Sequence, residues 1–260
     1  MNSPVPATLP PLTRRLLGWE IIVVFGVSLG ASALFAIINL IGSLTAPKAL
    51  RQQQALLVGS LAPGRPLLDL TLQLANILTT LVPVALVFYL LAREGETPSS
   101  AMGLDAKEPG RDLARGAALA ALIGGSGLAL YLIAYKLGLA LNVVPENLPA
   151  LWWRIPVLIL DAAQNGIVEE ILVIGYLLRR LDQLGWSPAK AIAVSALLRG
   201  SYHLYQGFGG FIGNAVMGVI FALLYRRWGR VTPLIIAHAL IDTGAFVGYA
   251  ALHGHVSWLP

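Results

Sequence analysis

Residues 153–178 read WRIPVLILDAAQNGIVEEILVIGYLL, and this stretch decides what kind of protein the chain is. Its twenty-six residues exceed the roughly 20 that a helix needs to cross a bilayer. In lipid, an apolar run of this length satisfies its backbone hydrogen bonds as a helix. The ten-residue alternation of a membrane barrel strand is found nowhere in the chain. Six further apolar segments flank this one, at approximately 19–45, 68–92, 116–140, 188–206, 208–226 and 231–252.

The composition agrees with that reading. The 260 residues are 57% hydrophobic and 12% charged, and that charged fraction is about half of what a soluble globule carries. A soluble fold and intrinsic disorder are both excluded, the second because so apolar a chain buries more surface than its ordering requires. The expected class is all-α: a polytopic transmembrane helical bundle of about seven spans, or eight, with interfacial amphipathic helices. Residues 1–115 would supply amino-terminal spans and a cytoplasmic loop, and residues 116–260 a carboxy-terminal bundle of the same integral membrane domain.

Counting Lys and Arg in alternate loops orients the chain. One side collects Arg14, Arg15, Arg93, Lys107, Arg111, Arg115, Arg179, Arg180, Lys190, Arg226, Arg227 and Arg230. The other has Lys48, Arg51, Arg65, Lys136 and Arg154. The positive-inside rule then places the amino terminus in the cytoplasm of a multi-pass plasma (inner) membrane protein. The first segment follows Arg14 and Arg15 but outlasts the 7–15 residues of a signal-peptide core, so it reads as a retained span. The basic residues form no single patch, so the net charge of +5 points to membrane topology and not to nucleic acid. Residues 46–66 read as an amphipathic connector at the interface, and 93–115, with Pro98 and Pro109, as a polar cytoplasmic loop. There is no Cys, hence no disulfide, thiolate nucleophile or Cys-ligated metal.

Charge is costly in a bilayer, so ionisable residues that remain inside spans carry the information. They are Asp161, Glu169 and Glu170 with Gln164 and Asn165, then Arg199 and His203, then Asn214, then His238 and Asp242. Spacing of four puts residues on one helix face, and it recurs in Asp161, Asn165 and Glu169, in Arg199 and His203, and in His238 and Asp242. Three helices thus present polar stripes that should meet in the bundle interior. Asp161, Gln164, Asn165 and Asn214 are adequately explained as helix-joining residues. Adjacent glutamates are not, because they point about 100° apart and no single partner absorbs both.

Two hydrolytic chemistries suit this set. A carboxylate and an imidazole can deprotonate a water attacking a carbonyl while a second His stabilises the oxyanion. Alternatively, Glu169, His203, His238 and Asp242 could hold a divalent metal such as zinc that activates the water. A proton relay in a transporter is a reading from another class, opposed by the absence of repeat symmetry between the two halves.

The run Glu169-Glu170-Ile171-Leu172-Val173-Ile174-Gly175-Tyr176-Leu177-Leu178-Arg179-Arg180, then His203, then His238 with Asp242, resembles the CPBP (Abi) family over about residues 155–250. These are intramembrane proteases related to the CAAX-processing endoprotease and to bacteriocin-processing or immunity proteins. The resemblance implies water activation by Glu169, Glu170 and His203, and oxyanion stabilisation or positioning by His238 and Asp242. It implies a peptide or protein substrate met at the bilayer. Two slots differ from the family signature: Ile174 stands where an Arg is usual, and Arg199 where a Phe is usual. Arg199 is therefore expected to reach across from its own helix and supply the positive charge the glutamate pair lacks. A member that has lost catalysis and acts by binding, as an immunity protein or scaffold, is the alternative that these two departures allow. The expected opening to the site is at the cytoplasmic face.

Overall fold

The structure is a computed structural model and describes residues 13–256. The amino-terminal residues 1–12 and residues 257–260 lie outside the described residues, so the cytoplasmic placement expected of the terminus is not addressed there. The first apolar segment forms two helices, α1 (Arg14–Gly26) and α2 (Leu29–Thr45), bent by 55° at the break. At that break the Ser28 hydroxyl donates to the Val24 carbonyl at 2.6 Å, a back-bond that bends helices. After α2 come a strand, β1 (Gln54–Val58), and the helices α3 (Pro66–Thr80) and α4 (Val82–Arg93), which make one rod. A short α5 (Pro98–Ala101), the 28-residue α6 (Pro109–Lys136) and a second strand, β2 (Asn142–Glu146), follow.

The segment quoted at the outset becomes α7 (Arg154–Glu169), a π-helical turn (Glu170–Tyr176) and α8 (Leu177–Gln183), an uninterrupted helical run. Then come α9 (Pro188–Tyr202), α10 (Phe208–Trp228) and α11 (Thr232–Leu252). All seven apolar segments are helical. The connector 46–66, expected as an amphipathic segment at the interface, holds a strand: β1 pairs in parallel with β2, Gln54 opposite Asn142 and Val58 opposite Glu146. Parallel pairing needs a long crossover, and α3, α4 and α6 provide it by returning the chain to the same end of the bundle.

Among the described residues, four helical stretches are long and apolar enough to cross a membrane, Pro66–Arg93, α6, α10 and α11, or five if the bent α1–α2 pair is one span. The run α7–α8 and α9 are helical but fall outside that set. The first carries charges through its length, and the second has only fifteen residues. Large apolar side chains on the outer helices face outward, among them Ile22, Phe35, Leu78, Leu122, Val216 and Leu223. An exterior with so many exposed apolar side chains suits lipid.

The core is built around the π-helical turn. Ile171, Leu172, Val173, Ile174 and Tyr176 are fully buried and share a cluster with Val87 and Leu91 of α4, Phe221 of α10 and Ala237 of α11. At the arginine-rich end, Arg180 is fully buried, binding Glu20 of α1 and Glu94 beyond α4, while the Tyr176 hydroxyl donates to Glu20 at 2.8 Å. Arg230 likewise gathers Asp105 and Asp112, so the polar stretch 93–115 is docked onto the helices. Asp105 is held below the ordinary carboxylate range, first by the Arg230 hydrogen bond and then by the Lys107 backbone amide.

Candidate active site

The π-helical turn begins immediately after Glu169, and such turns recur at functional sites because they reorient the side chains beside them. Glu169 ends the α-helical part of the run and Glu170 opens the π turn. α9 lies against this turn with one face. Its Ser195 hydroxyl donates to the Val173 carbonyl at 3.1 Å, and one turn on, Arg199 reaches the glutamates. The guanidinium grips Glu170 with both prongs, Nη2 at 2.7 Å from Oε1 and Nη1 at 3.2 Å from Oε2. Nη2 also lies 3.3 Å from Glu169 Oε2. The Arg slot of the glutamate motif, Ile174, is buried in the apolar core. The cation stands on α9, where a charged side chain meets carboxylates on the neighbouring helix without crossing lipid.

Tyr202 follows Arg199 on the same face, and its hydroxyl donates to Glu169 Oε2 at 2.7 Å. That oxygen therefore faces two donors, which leaves Oε1 for other work. Oε1 is 3.7 Å from His203 Nε2, a buried nitrogen with no hydrogen-bond partner among the described residues. His203 ends α9, and its loop is pinned by pairing of Gly207 with Ala140. Gly207 adopts φ +95°, and a Cβ there would lie 2.9 Å from the Ala140 Cα, so only glycine fits.

α11 supplies the remaining members. It packs on α7 at Gly166, where an added Cβ would sit 3.0 Å from the Ile235 carbonyl oxygen. That approach sets His238 Nδ1 at 2.7 Å from Glu170 Oε1 and His238 Nε2 at 3.6 Å from Asp242 Oδ2. Asn165 of α7 donates to Asp242 Oδ2 at 3.2 Å, and Gln164 donates to Asn165. Asn214 donates to the Gly210 carbonyl of its own helix.

A cavity of about 800 Å³ opens in front of this cluster. Glu169, Tyr202, His203, His238, Asp242 and Asp161 lie on its wall, whereas Glu170 and Arg199 are fully buried behind it. The two glutamates are thus distinct: one borders the cavity, and the other is locked between Arg199 and His238. The cavity runs from Glu169 toward Leu57, Val143 and Pro145 at the strand pair, away from the arginine-rich end. An opening at the arginine-rich, cytoplasmic face was expected. Neither the Arg180 nor the Arg230 cluster lies on the cavity wall.

Of the residues singled out from the sequence, Glu169, Glu170, Arg199, His203, His238 and Asp242 converge, joined by Asn165. Tyr202 was not foreseen. The usable signal was its spacing of three from Arg199, which shares a helix face as surely as spacing of four.

The donors do not form a metal cage. Among the described residues, no group of three or more His, Asp or Glu side chains converges as ligands. A guanidinium stands within 3.3 Å of both glutamates and 3.0 Å of His238 Nδ1, filling with a fixed cation the space behind Glu169. Zinc, expected as an alternative, does not fit this arrangement.

Residues 151–244 match the family model described as type II CAAX prenyl endopeptidase Rce1-like. The match spans α7 through the first half of α11 and so contains every residue of the cluster. No curated protein and no solved structure gives a significant match. Through these helices the chain is similar to the CAAX-protease family of endopeptidases.

Proposed function

We propose that this protein is an intramembrane endopeptidase that activates water with a glutamate and a histidine. The observation that carries the reading is the pairing of Glu169 Oε1 with the unpartnered His203 Nε2, 3.7 Å apart on the wall of the cavity. A water held between them would lose its proton to Glu169 as its oxygen attacks the substrate carbonyl carbon. His238, protonated at both nitrogens, donates Nδ1–H to Glu170 and presents Nε2–H to the developing oxyanion. Asp242 stands beside that nitrogen and, held by Asn165, orients the ring. As the C–N bond breaks, the proton on Glu169 passes to the departing amine. Each step uses only groups of this chain.

Glu170 and Arg199 hold the frame. Their pair fixes His238 from behind and neutralises charge beside Glu169, the task assigned to a cation of the glutamate motif itself in the family signature. The helical run α7–α8 and α9 lie within the bilayer with the other helices, which makes about seven spans in a multi-pass plasma membrane protein with a cytoplasmic amino terminus. Burial of their charges against each other supports this, since none of the site carboxylates faces lipid alone.

The test is a comparison of membrane peptides from cells carrying the wild type, Glu169→Ala or His203→Ala at matched protein levels. Fragments present only with the wild type are expected. Identical profiles would overturn the protease reading in favour of a member that acts by binding.

A further inference from the structure

Among the described residues, Asp161 is the one carboxylate on the cavity wall that the proposed chemistry does not use. Glu169 is met by Tyr202 and Arg199, and Asp242 by Asn165 and His238. Among the described residues, Asp161 has no hydrogen-bond or ion-pair partner, and the charge that acts on it is the like charge of Asp242. It is half-buried and faces the cavity, whose wall has no Lys or Arg among the described residues. The other titratable wall groups are Glu169, Asp242, His203, His238 and the tyrosines Tyr131, Tyr202, Tyr205 and Tyr249.

A carboxylate kept in a chamber of low dielectric without a counter-charge is costly, and an incoming cation relieves that cost. The tyrosine rings add faces that favour an ammonium or guanidinium over an anion. Distance along the helix gives the spacing. Asp161 and Glu169 share a face eight residues apart, about 12 Å at 1.5 Å per residue. An extended peptide advances about 3.3 Å per residue, so 12 Å corresponds to three or four residues.

We infer that Asp161 is a specificity-determining residue that selects substrates carrying a Lys or Arg side chain, or a free amino terminus, three or four residues from the bond cleaved. The inference rests on the protease reading. It names an acidic subsite in the half of the cavity toward the strand pair.

The full chain, purified into lipid nanodiscs, is given a mixed library of apolar peptides with varied flanking residues, and the cut sites are mapped by mass spectrometry. For the wild type, Lys, Arg or the amino terminus should be enriched three or four positions from the cut, with kcat/KM about tenfold above neutral counterparts. Asp161→Asn should abolish that preference through KM while cleaving neutral peptides at the wild-type rate, and Asp161→Lys should favour Asp or Glu at the same position. Wild-type cleavage without basic enrichment overturns the inference alone, as does enrichment that persists in Asp161→Asn. No cleavage by the wild type overturns the protease reading and this inference with it.

Discussion

Arg199 and Glu170 form a two-pronged ion pair between α9 and the π-helical turn, with neither side chain exposed and nitrogen–oxygen distances of 2.7 and 3.2 Å. Removing one partner strands a buried charge, at a cost of about 3–5 kcal/mol, whereas removing both is nearly neutral. Arg199→Met should therefore lower the unfolding midpoint in mild detergent sharply, and Arg199→Met with Glu170→Leu should recover most of the loss. A double variant as unstable as the sum of the two single variants would show that the pair is not the coupling between them.

Glu169→Gln keeps the shape of the side chain and one oxygen to accept from Tyr202 but cannot accept the water proton. It should reduce cleavage by about 10² to 10⁴, with the unfolding midpoint little changed. His203→Ala should fall in the same range. The check is a peptide cleavage rate measured beside thermal unfolding of each variant.

Tyr202→Phe removes one hydrogen bond from Glu169 Oε2 and leaves the ring packed. Hydrogen bonds to charged groups are worth about 1.5–3 kcal/mol, so kcat should drop about tenfold or more while KM changes little. A rise in KM at unchanged kcat would place Tyr202 in substrate binding and not in orienting the base.

Chelation separates the hydrolytic mechanisms. Because Arg199 occupies the space behind Glu169, prolonged treatment with a strong chelator should leave the cleavage rate unchanged. Activity lost to the chelator and restored by zinc would sink the glutamate mechanism.

The Arg230 cluster gives a pH dependence outside the helices of the site. Asp105 Oδ1 accepts from Arg230 at 2.8 Å, and its pKa is lowered by that bond. A lowered folded-state pKa contributes stability that is complete above the unfolded value of about 3.9 and is lost as pH falls through the folded value. Asp105→Asn should thus be less stable than wild type at pH 7, and the gap should close as the pH is taken below 4. A gap independent of pH would remove the Asp105 charge as its cause.

The helices were legible because apolar periodicity and length are local properties: all seven apolar segments formed helices where the sequence located them. Intramembrane charges marked the cluster for the same reason, since Glu169, His203 and His238 are conspicuous in any apolar run. The strand pair of β1 and β2 was not legible. Its two strands are far apart in sequence, separated by α3, α4 and α6, and neither declares its partner locally. Tyr202 was missed because a tyrosine carries no charge to betray it, even beside Arg199 and His203.

The sequence by itself determined that the chain is a helical membrane protein and which ionisable groups its interior must accommodate, because burying charge in lipid demands a partner wherever that partner lies. Only the tertiary structure decided how those groups divide. Two glutamates adjacent in the chain have different surroundings, since the π turn and the approach of α9 direct Glu170 into the Arg199 guanidinium and leave Glu169 on the cavity wall. Packing likewise decided which charges stay off the cavity wall, because Arg180 and Arg230 fold inward onto Glu20, Glu94, Asp105 and Asp112.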